Sequence, residues 1–251
     1  MKINVRNLSF GYGGSPIFDH LNIDIDSDEE GGPLVILGPS GSGKTTLLKL
    51  LGGLLIPQEG EIRFSENEAA AQHPVSKIAF MFQEPRLLPW LTVLENVSLP
   101  LEDEMGREEA RRRARYFLSL VSLEEKESAY PSELSGGQAQ RVSMARAFAW
   151  PTPGLLMDEP FQSLDIPLRI SLMDLTLSLL EKDVQAKEHS QKSRFLIEVS
   201  HDPREAVYLG GRIIVLGKQG RGIVFDRKLG SQERVYGAAV DLERELIDAL
   251  R

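Results

Sequence analysis

Leu34-Val35-Ile36-Leu37-Gly38-Pro39-Ser40-Gly41-Ser42-Gly43-Lys44-Thr45-Thr46 decides the fold. Four apolar residues in an unbroken run, ending at a glycine, predict a short strand buried on both faces. Residues 45–51 read as a helix, stopped by Gly52-Gly53. Between strand and helix, Gly38 to Thr45 matches GxxxxGK[ST]. Glycines at those positions let backbone N–H groups turn inward around phosphate oxygens, and the helix aims its positive end at the same place. Lys44 then reaches the outer phosphates, and the Thr45 hydroxyl supplies a ligand for Mg²⁺. The stretch predicts a site for a nucleoside triphosphate.

Working outward, strand-like runs recur at residues 78–82, 155–157, 195–199 and 213–216, with helical patterns between them. Ile166, Ile170, Met173, Leu177 and Leu180 fall at steps of three and four. Strands alternating with helices imply a parallel sheet covered on both faces, an α/β fold. Leu21, Ile23 and Ile25 instead alternate with Asn22, Asp24 and Asp26, the pattern of a half-buried strand. Residues 88–149 break the rhythm and read as a helical subdomain inserted into the α/β core, all within one domain spanning 1–251. The arginine-rich segment 107–116 carries Glu108 and Glu109 among its basic residues and reads as a solvated helix face. The acidic cluster at 24–30 reads as a surface turn, and the polar stretch 182–193 as a loop.

Composition bounds the partners. The chain has 251 residues, 29 Lys+Arg and 37 Asp+Glu, for a net charge of −8. That balance argues against nucleic acid, which is bound through surplus Lys and Arg. There is no cysteine, which removes disulfides, thiolate zinc sites and iron–sulfur clusters. The longest apolar stretch, residues 50–56, is far short of the roughly 20 needed to span a bilayer. The expectation is a soluble or peripheral protein. His20, His73 and His189 show no ligand spacing and read as surface residues.

Two further segments carry chemistry. Leu155-Leu156-Met157-Asp158-Glu159 is an apolar strand ending in two carboxylates, and strand C-termini in an open α/β sheet face the ligand crevice. Asp158 can hold Mg²⁺ there, and Glu159 can act as a base on water. Ser135-Gly136-Gly137-Gln138 opens a helix with capping-box spacing. Two glycines in a first helical turn cost about 1 kcal/mol each against alanine, which a plain cap does not require. Bare backbone at a helix start suits close approach of a phosphate.

GPSGSGKTT, LSGGQ, LLMDEP, Ser163-Leu164-Asp165 and Ser200-His201-Asp202 together resemble the ATP-binding subunits of ABC transporters, over essentially the whole chain. The resemblance implies a P-loop NTPase fold: a RecA-like core, an N-terminal antiparallel β region and the inserted helical subdomain. It also implies ATP hydrolysis with Mg²⁺, and two subunits sandwiching two ATP molecules. The loop from Gly38 to Thr46 would face Ser135 to Gln138 of a second ATP-binding subunit, with a homodimer favoured over a pair of related ATPases. By the same resemblance Tyr12 stacks on adenine, Gln83 joins Mg²⁺ and couples the lid, Asp165 sits at the dimer seam, and His201 senses the γ-phosphate.

Two positions depart from that pattern. Gly154, flanked by Pro151 and Pro153, stands where a fourth apolar residue is expected and weakens the strand entry. Gly211 stands where aspartate is frequent, which puts a packing or hydrogen-bonding role there in doubt. The segment 82–93, QEPRLLPW followed by LTV, looks like the ATPases of bacterial nitrate, sulfonate and taurine importers, as does Phe161. That likeness implies a polytopic membrane permease, indirectly a solute-binding protein, and a peripheral place on the cytoplasmic face of the cell membrane. Leu87, Leu88 and Trp90 are then expected to be exposed for contact with the permease.

Overall fold

The computed structural model describes residues 2–26, 32–65, 70–72, 78–162, 164–185, 194–218, 221–230, 233–234, 236–237 and 239–250. It divides into two compact units. The first comprises Met1–Ile78, Leu156–Glu159 and Arg194–Arg251, and the second Ala79–Leu155 and Pro160–Ser193.

The first unit opens with β1 (Lys2–Tyr12) and β2 (Ser15–Asp26), an antiparallel hairpin closed by Gly13 and Gly14. Both glycines have positive φ, 57° and 85°, as a two-residue turn matching the strand twist requires. Ile3, Val5, Leu8 and Phe10 of β1 and Phe18, Leu21, Ile23 and Ile25 of β2 are buried, a period-two alternation shifted by one residue between Val5 and Leu8, where the pairing register also shifts. Next come β3 (Leu34–Leu37), α1 (Lys44–Leu51), β4 (Glu59–Ser65) and β5 (Ala70–Gln72). The hairpin extends into an antiparallel sheet of order β2-β1-β4-β5.

The chain then passes through β6 (Ile78–Met81), α2 (Val93–Ser98), α3 (Glu102–Met105), α4 (Arg107–Leu120), α5 (Gly136–Ala149), β7 (Gly154–Asp158) and α6 (Ile166–Gln185). It closes with β8 (Phe195–Val199), α7 (Pro203–Leu209), β9 (Arg212–Leu216), β10 (Ile223–Lys228) and α8 (Val240–Ala249). In the first unit the second sheet runs β10-β9-β3-β8-β7, with β3 parallel to β8 and β9. β3 is therefore central, and all four of its residues are buried, as their unbroken apolar run requires. Glu159 N–H donates to the Val199 carbonyl at 2.9 Å, and Ser200 N–H to that of Ile36 at 3.1 Å. These bonds tie the ends of β3, β7 and β8 together beside the glycine-rich turn.

The second unit is helical through residues 88–149. Thr92 caps α2 and forms a capping box with Glu95. α4 buries Ala110, Ala114, Phe117 and Leu118. Its outer arginines pair with acids, Arg112 with Glu109 and Arg115 with Glu127, so the solvated-face reading of 107–116 stands. α5 buries Val142, Met144, Ala145, Phe148 and Ala149.

Three expectations need correction. Gly154 does not weaken β7: the strand begins at Gly154 and all five residues are buried. The Thr152 hydroxyl accepts from Gly154 N–H at 3.3 Å and fixes that entry. Residues 182–185 continue α6 rather than opening a loop, and 186–193 lie outside the described residues. Asp24 and Asp26 belong to β2 rather than a turn, paired with Arg6 and Lys2, while 27–30 lie outside the described residues. His73 and His189 are also outside them. At Gly211 the backbone does the bonding: its N–H donates to Pro33 at 2.7 Å and its carbonyl accepts from Leu229 at 2.7 Å.

Phe148 is 1% exposed in α5, so Phe148→Ala removes an aromatic ring from a filled interior. The expected loss is about 3–5 kcal/mol, read as a lower urea midpoint with an unchanged denaturant slope.

Candidate functional site

Gly43, the residue before α1, has φ 94°, and a Cβ there would lie 2.4 Å from Ile17 Cγ2 and 2.7 Å from Phe18 Cζ. A Cβ on Gly38 would lie 2.3 Å from Ser42 Oγ. The loop is thus wound too tightly for side chains at either end. The Pro39 carbonyl accepts from Ser42 N–H at 3.1 Å and closes the turn, and Gly43 O accepts from Leu47 N–H at 2.8 Å to start the helix. Lys44 is buried beneath this turn, its Nζ donating to the Gly38 carbonyl at 2.7 Å and the Pro39 carbonyl at 3.3 Å. Burial lowers its pKa, while Glu159 and Asp158 pull the other way.

The carboxylates sit beside it. Thr45 Oγ1 donates to Asp158 Oδ1 at 2.8 Å. Burial raises the Asp158 pKa, the Thr45 bond opposes that, and the neighbouring Glu159 charge reinforces it. Glu159 has φ 46°, a left-handed conformation that a non-glycine residue adopts only when its surroundings impose it. His201 Nδ1 is 3.4 Å from Glu159 Oε2. The side chain of Glu159 is 17% exposed and that of His201 is 54% exposed, so this pair faces solvent at the rim of the site.

Does this donor set suit Mg²⁺? A hydroxyl and a carboxylate are hard oxygen donors, and Mg²⁺ binds through one or two carboxylates with substrate phosphates and water. Among the described residues no cluster of three His, Cys, Asp or Glu forms an all-protein metal cage, which is consistent with that mode. Ser42 Oγ is buried with no hydrogen-bond partner among the described residues, a free polar atom under the loop. The residues fit the ion.

Tyr12 is 52% exposed and meets Phe10 edge-on at 5.1 Å, whereas Phe10 and Phe18 are buried. Of the three aromatics near that hairpin, only Tyr12 is free to stack on a ligand.

The remaining candidates belong to the second unit. Ser135 and Gln138 form the capping box, with Gln138 N–H donating to Ser135 Oγ at 3.3 Å. Gly136 has open space where a side chain would be, whereas a Cβ on Gly137 would lie 3.0 Å from Leu168 Cδ2. A side chain on Gly137 would press on Leu168, and Gly136 is the bare position. The Asp165 carboxylate accepts from Leu168 N–H at 2.9 Å and caps α6. Gln83 is exposed and its amide donates to Gln162.

The sequence reading missed what holds the Gln83 segment in place. Arg146 of α5 donates to the carbonyls of Pro85 at 2.7 Å and Arg86 at 3.0 Å. Asn96 accepts from Leu88 N–H at 2.7 Å and donates to the Leu88, Leu91 and Thr92 carbonyls. An Asn set among Val93, Leu94 and Val97 was the available signal. Trp90 is 69% exposed, and Leu87 and Leu88 are half-buried, so the expected exposed strip narrows to Trp90.

The family profile described as ABC transporter matches residues 19–162. The chain is 40% identical over 242 residues to a sulfate/thiosulfate import ATP-binding protein, CysA, of Bradyrhizobium diazoefficiens, covering 94% of this chain and 65% of that protein. It is 40% identical over 216 residues to an aliphatic sulfonates import ATP-binding protein, SsuB 3, of Paraburkholderia xenovorans, covering 86% and 77%. Among solved structures it matches the dimeric ATP-binding cassette MJ0796 bound to ADP and Pi, with TM-score 0.74, 33% identity and coverage of 91% and 99%. The fold is accordingly that of an ATP-binding cassette, an α/β P-loop architecture. The chain belongs to the ABC transporter family. It spans 65% and 61% of the length of two CysA relatives, from B. diazoefficiens and Rhizobium meliloti.

Because the Gly43 position has neither room nor an ordinary φ for a side chain, Gly43→Ala should weaken nucleotide binding at least about tenfold, roughly 1.4 kcal/mol. Titration with a fluorescent ATP analogue reads this, and Gly13→Ala, where a Cβ meets open space, controls for general turn strain.

Proposed function

We propose that this chain is the ATP-binding and ATP-hydrolysing subunit of a bacterial ABC importer. The observation that carries the reading is the convergence, within one unit, of the Lys44 loop, the Thr45–Asp158 bond and the Glu159–His201 pair. The family membership and the import relatives support it.

In this reading residues 1–251 form one nucleotide-binding domain with its helical subdomain inserted at about 88–149. The backbone N–H groups of Gly38 to Gly43 cradle the phosphates of ATP, and Lys44 exchanges its carbonyl partners for phosphate oxygens. Thr45, Asp158 and, by the family resemblance, Gln83 would hold Mg²⁺, and Thr46 would contribute to ATP binding; the ion would neutralise charge on the transferring phosphate. Glu159 accepts the proton of the attacking water, held in position by its imposed backbone conformation. His201 donates to the γ-phosphate oxygen and orients Glu159. Tyr12 stacks on adenine.

The second half of each site comes from another ATP-binding subunit. Ser135, Gly136, Gly137 and Gln138 present a helix start to the γ-phosphate of the partner's nucleotide, with Asp165 at the seam. The MJ0796 cassette is dimeric with ADP and Pi bound, which supports this arrangement. ATP closes the pair and hydrolysis reopens it, a two-state switch biased by ligand. The Gln83–Trp90 segment, clamped by Arg146 and Asn96, passes that motion to a membrane permease at the cytoplasmic face.

The solute class is an oxyanion of the nitrate, sulfonate or taurine type, delivered by a solute-binding protein. The sulfate/thiosulfate and aliphatic sulfonates import relatives support an oxyanion. Among the described residues no helix is long and apolar enough to cross a membrane.

Glu159→Gln should lower ATP turnover by about 10²–10⁴-fold, the usual contribution of a general base, while ATP affinity changes less than a few-fold. Phosphate release and equilibrium binding, measured on the same preparation, separate the two effects. Importer membership is tested by tagging the chain and identifying what copurifies from gently solubilised native membranes. A polytopic permease supports the reading. Recovery without any membrane partner, under ATP and under ADP, would replace it with a soluble ABC ATPase that moves no solute.

A further inference from the structure

Glu198 is the fourth of five residues in β8, is 0% exposed, and neither carboxyl oxygen has a hydrogen-bond partner among the described residues. Its register partner on β3 is Val35, which pairs in turn with Ile213 of β9, so its sheet neighbours on that side are apolar. α7 packs on β3 and contributes Glu205, itself 4% exposed. α1 packs on β8, but its cations Lys44 and Lys49 act on Asp158 and Glu159. The one charged group acting on Glu198 among the described residues is the second carboxyl, Glu205.

Glu205 is linked to the active rim. It accepts the hydroxyl proton of Ser200, and Ser200 Oγ accepts from Asp202 N–H at 3.1 Å. Ser200 N–H is tied to the Ile36 carbonyl, at the end of the strand that leads into the phosphate loop. His201 stands between these two anchored residues.

An isolated carboxylate buried without a donor or a cation is far costlier than a neutral carboxylic acid, and a second carboxyl nearby adds to the cost. We propose that Glu198 and Glu205 form a buried acid pair carrying one proton, seated on Glu198, and that through Ser200 this pair positions the turn that bears His201. Glu198 and Glu205 are positioning residues, since neither is placed at the reacting atoms. Ionising Glu198 would put two carboxylates in one interior; the relief is displacement of α7, whose start carries the His201 turn.

Burial, reinforced by Glu205, raises the Glu198 pKa well above its ordinary 4.5. With the folded pKa above the unfolded one, the folded chain holds the extra proton between the two values. Stability conferred by the protonated form is complete below about pH 4.5 and declines as pH rises through the folded pKa.

The test compares the full chain with Glu198→Gln and Glu198→Leu by urea unfolding from pH 4.5 to 9. The folding constant of either variant relative to wild type should rise with pH, by up to about tenfold per unit within the window. A ratio independent of pH overturns the acid pair, and the leucine variant answers the same question if glutamine packs poorly. The second arm measures ATP hydrolysis, and this part rests on the role proposed above for His201. Wild type should lose kcat on the alkaline side with KM for ATP unmoved, and Glu198→Gln should lack that limb. Identical limbs in both overturn the coupling to His201. A wild-type chain that hydrolyses no ATP would sink the proposed function, while the unfolding arm still decides the pair.

Discussion

Lys44 beneath the glycine-rich turn is the interaction on which the rest of the molecule depends. A buried ammonium requires acceptors, and Lys44 finds them in the carbonyls of Gly38 and Pro39. Those carbonyls lie in the turn proposed to wrap a phosphate. The loop is thus held in a wound shape by its own lysine, which on the proposed reading leaves little ordering to be done on binding. That shape needs a rigid base, which the central β3, bonded on both sides, provides. Residues at the ends of β3, β7 and β8 then fall together because their backbones are tied to one another, not because their side chains attract.

The electrostatics follow from that convergence. Asp158 and Glu159 are adjacent in sequence but serve different environments. Asp158 is buried against Thr45, and Glu159 turns out through a left-handed backbone to meet His201 at the rim. In the proposed mechanism the first serves the metal and the second the attacking water, and the two carboxylates are set apart by backbone conformation rather than by residue type. Beneath the rim Glu205 accepts from the hydroxyl of Ser200, the residue before His201.

The parts legible in the sequence were those governed by local rules. Leu34 to Leu37 could only be a strand buried on both faces, and GxxxxGK[ST] fixed the loop after it. The spacing of Ser135 and Gln138 foretold a capping box that the structure contains. Less legible were contacts closed over long sequence separations. Nothing local announces that Arg146 will hold the carbonyls of Pro85 and Arg86. β4, interior to its sheet, and β10, at an edge, went unread because both pair antiparallel and carry exposed charged residues, among them Glu59, Arg63, Asp226 and Lys228.

The central claim is that a P-loop cation, a hydroxyl–carboxylate metal position and a base at the rim make this chain a magnesium-dependent ATPase. The most direct measurement is phosphate release from ATP by the purified chain, in Mg²⁺ and again in excess EDTA. The account predicts sustained release in Mg²⁺ that EDTA abolishes and fresh Mg²⁺ restores. No release in Mg²⁺, or release that persists unchanged in EDTA, would contradict it.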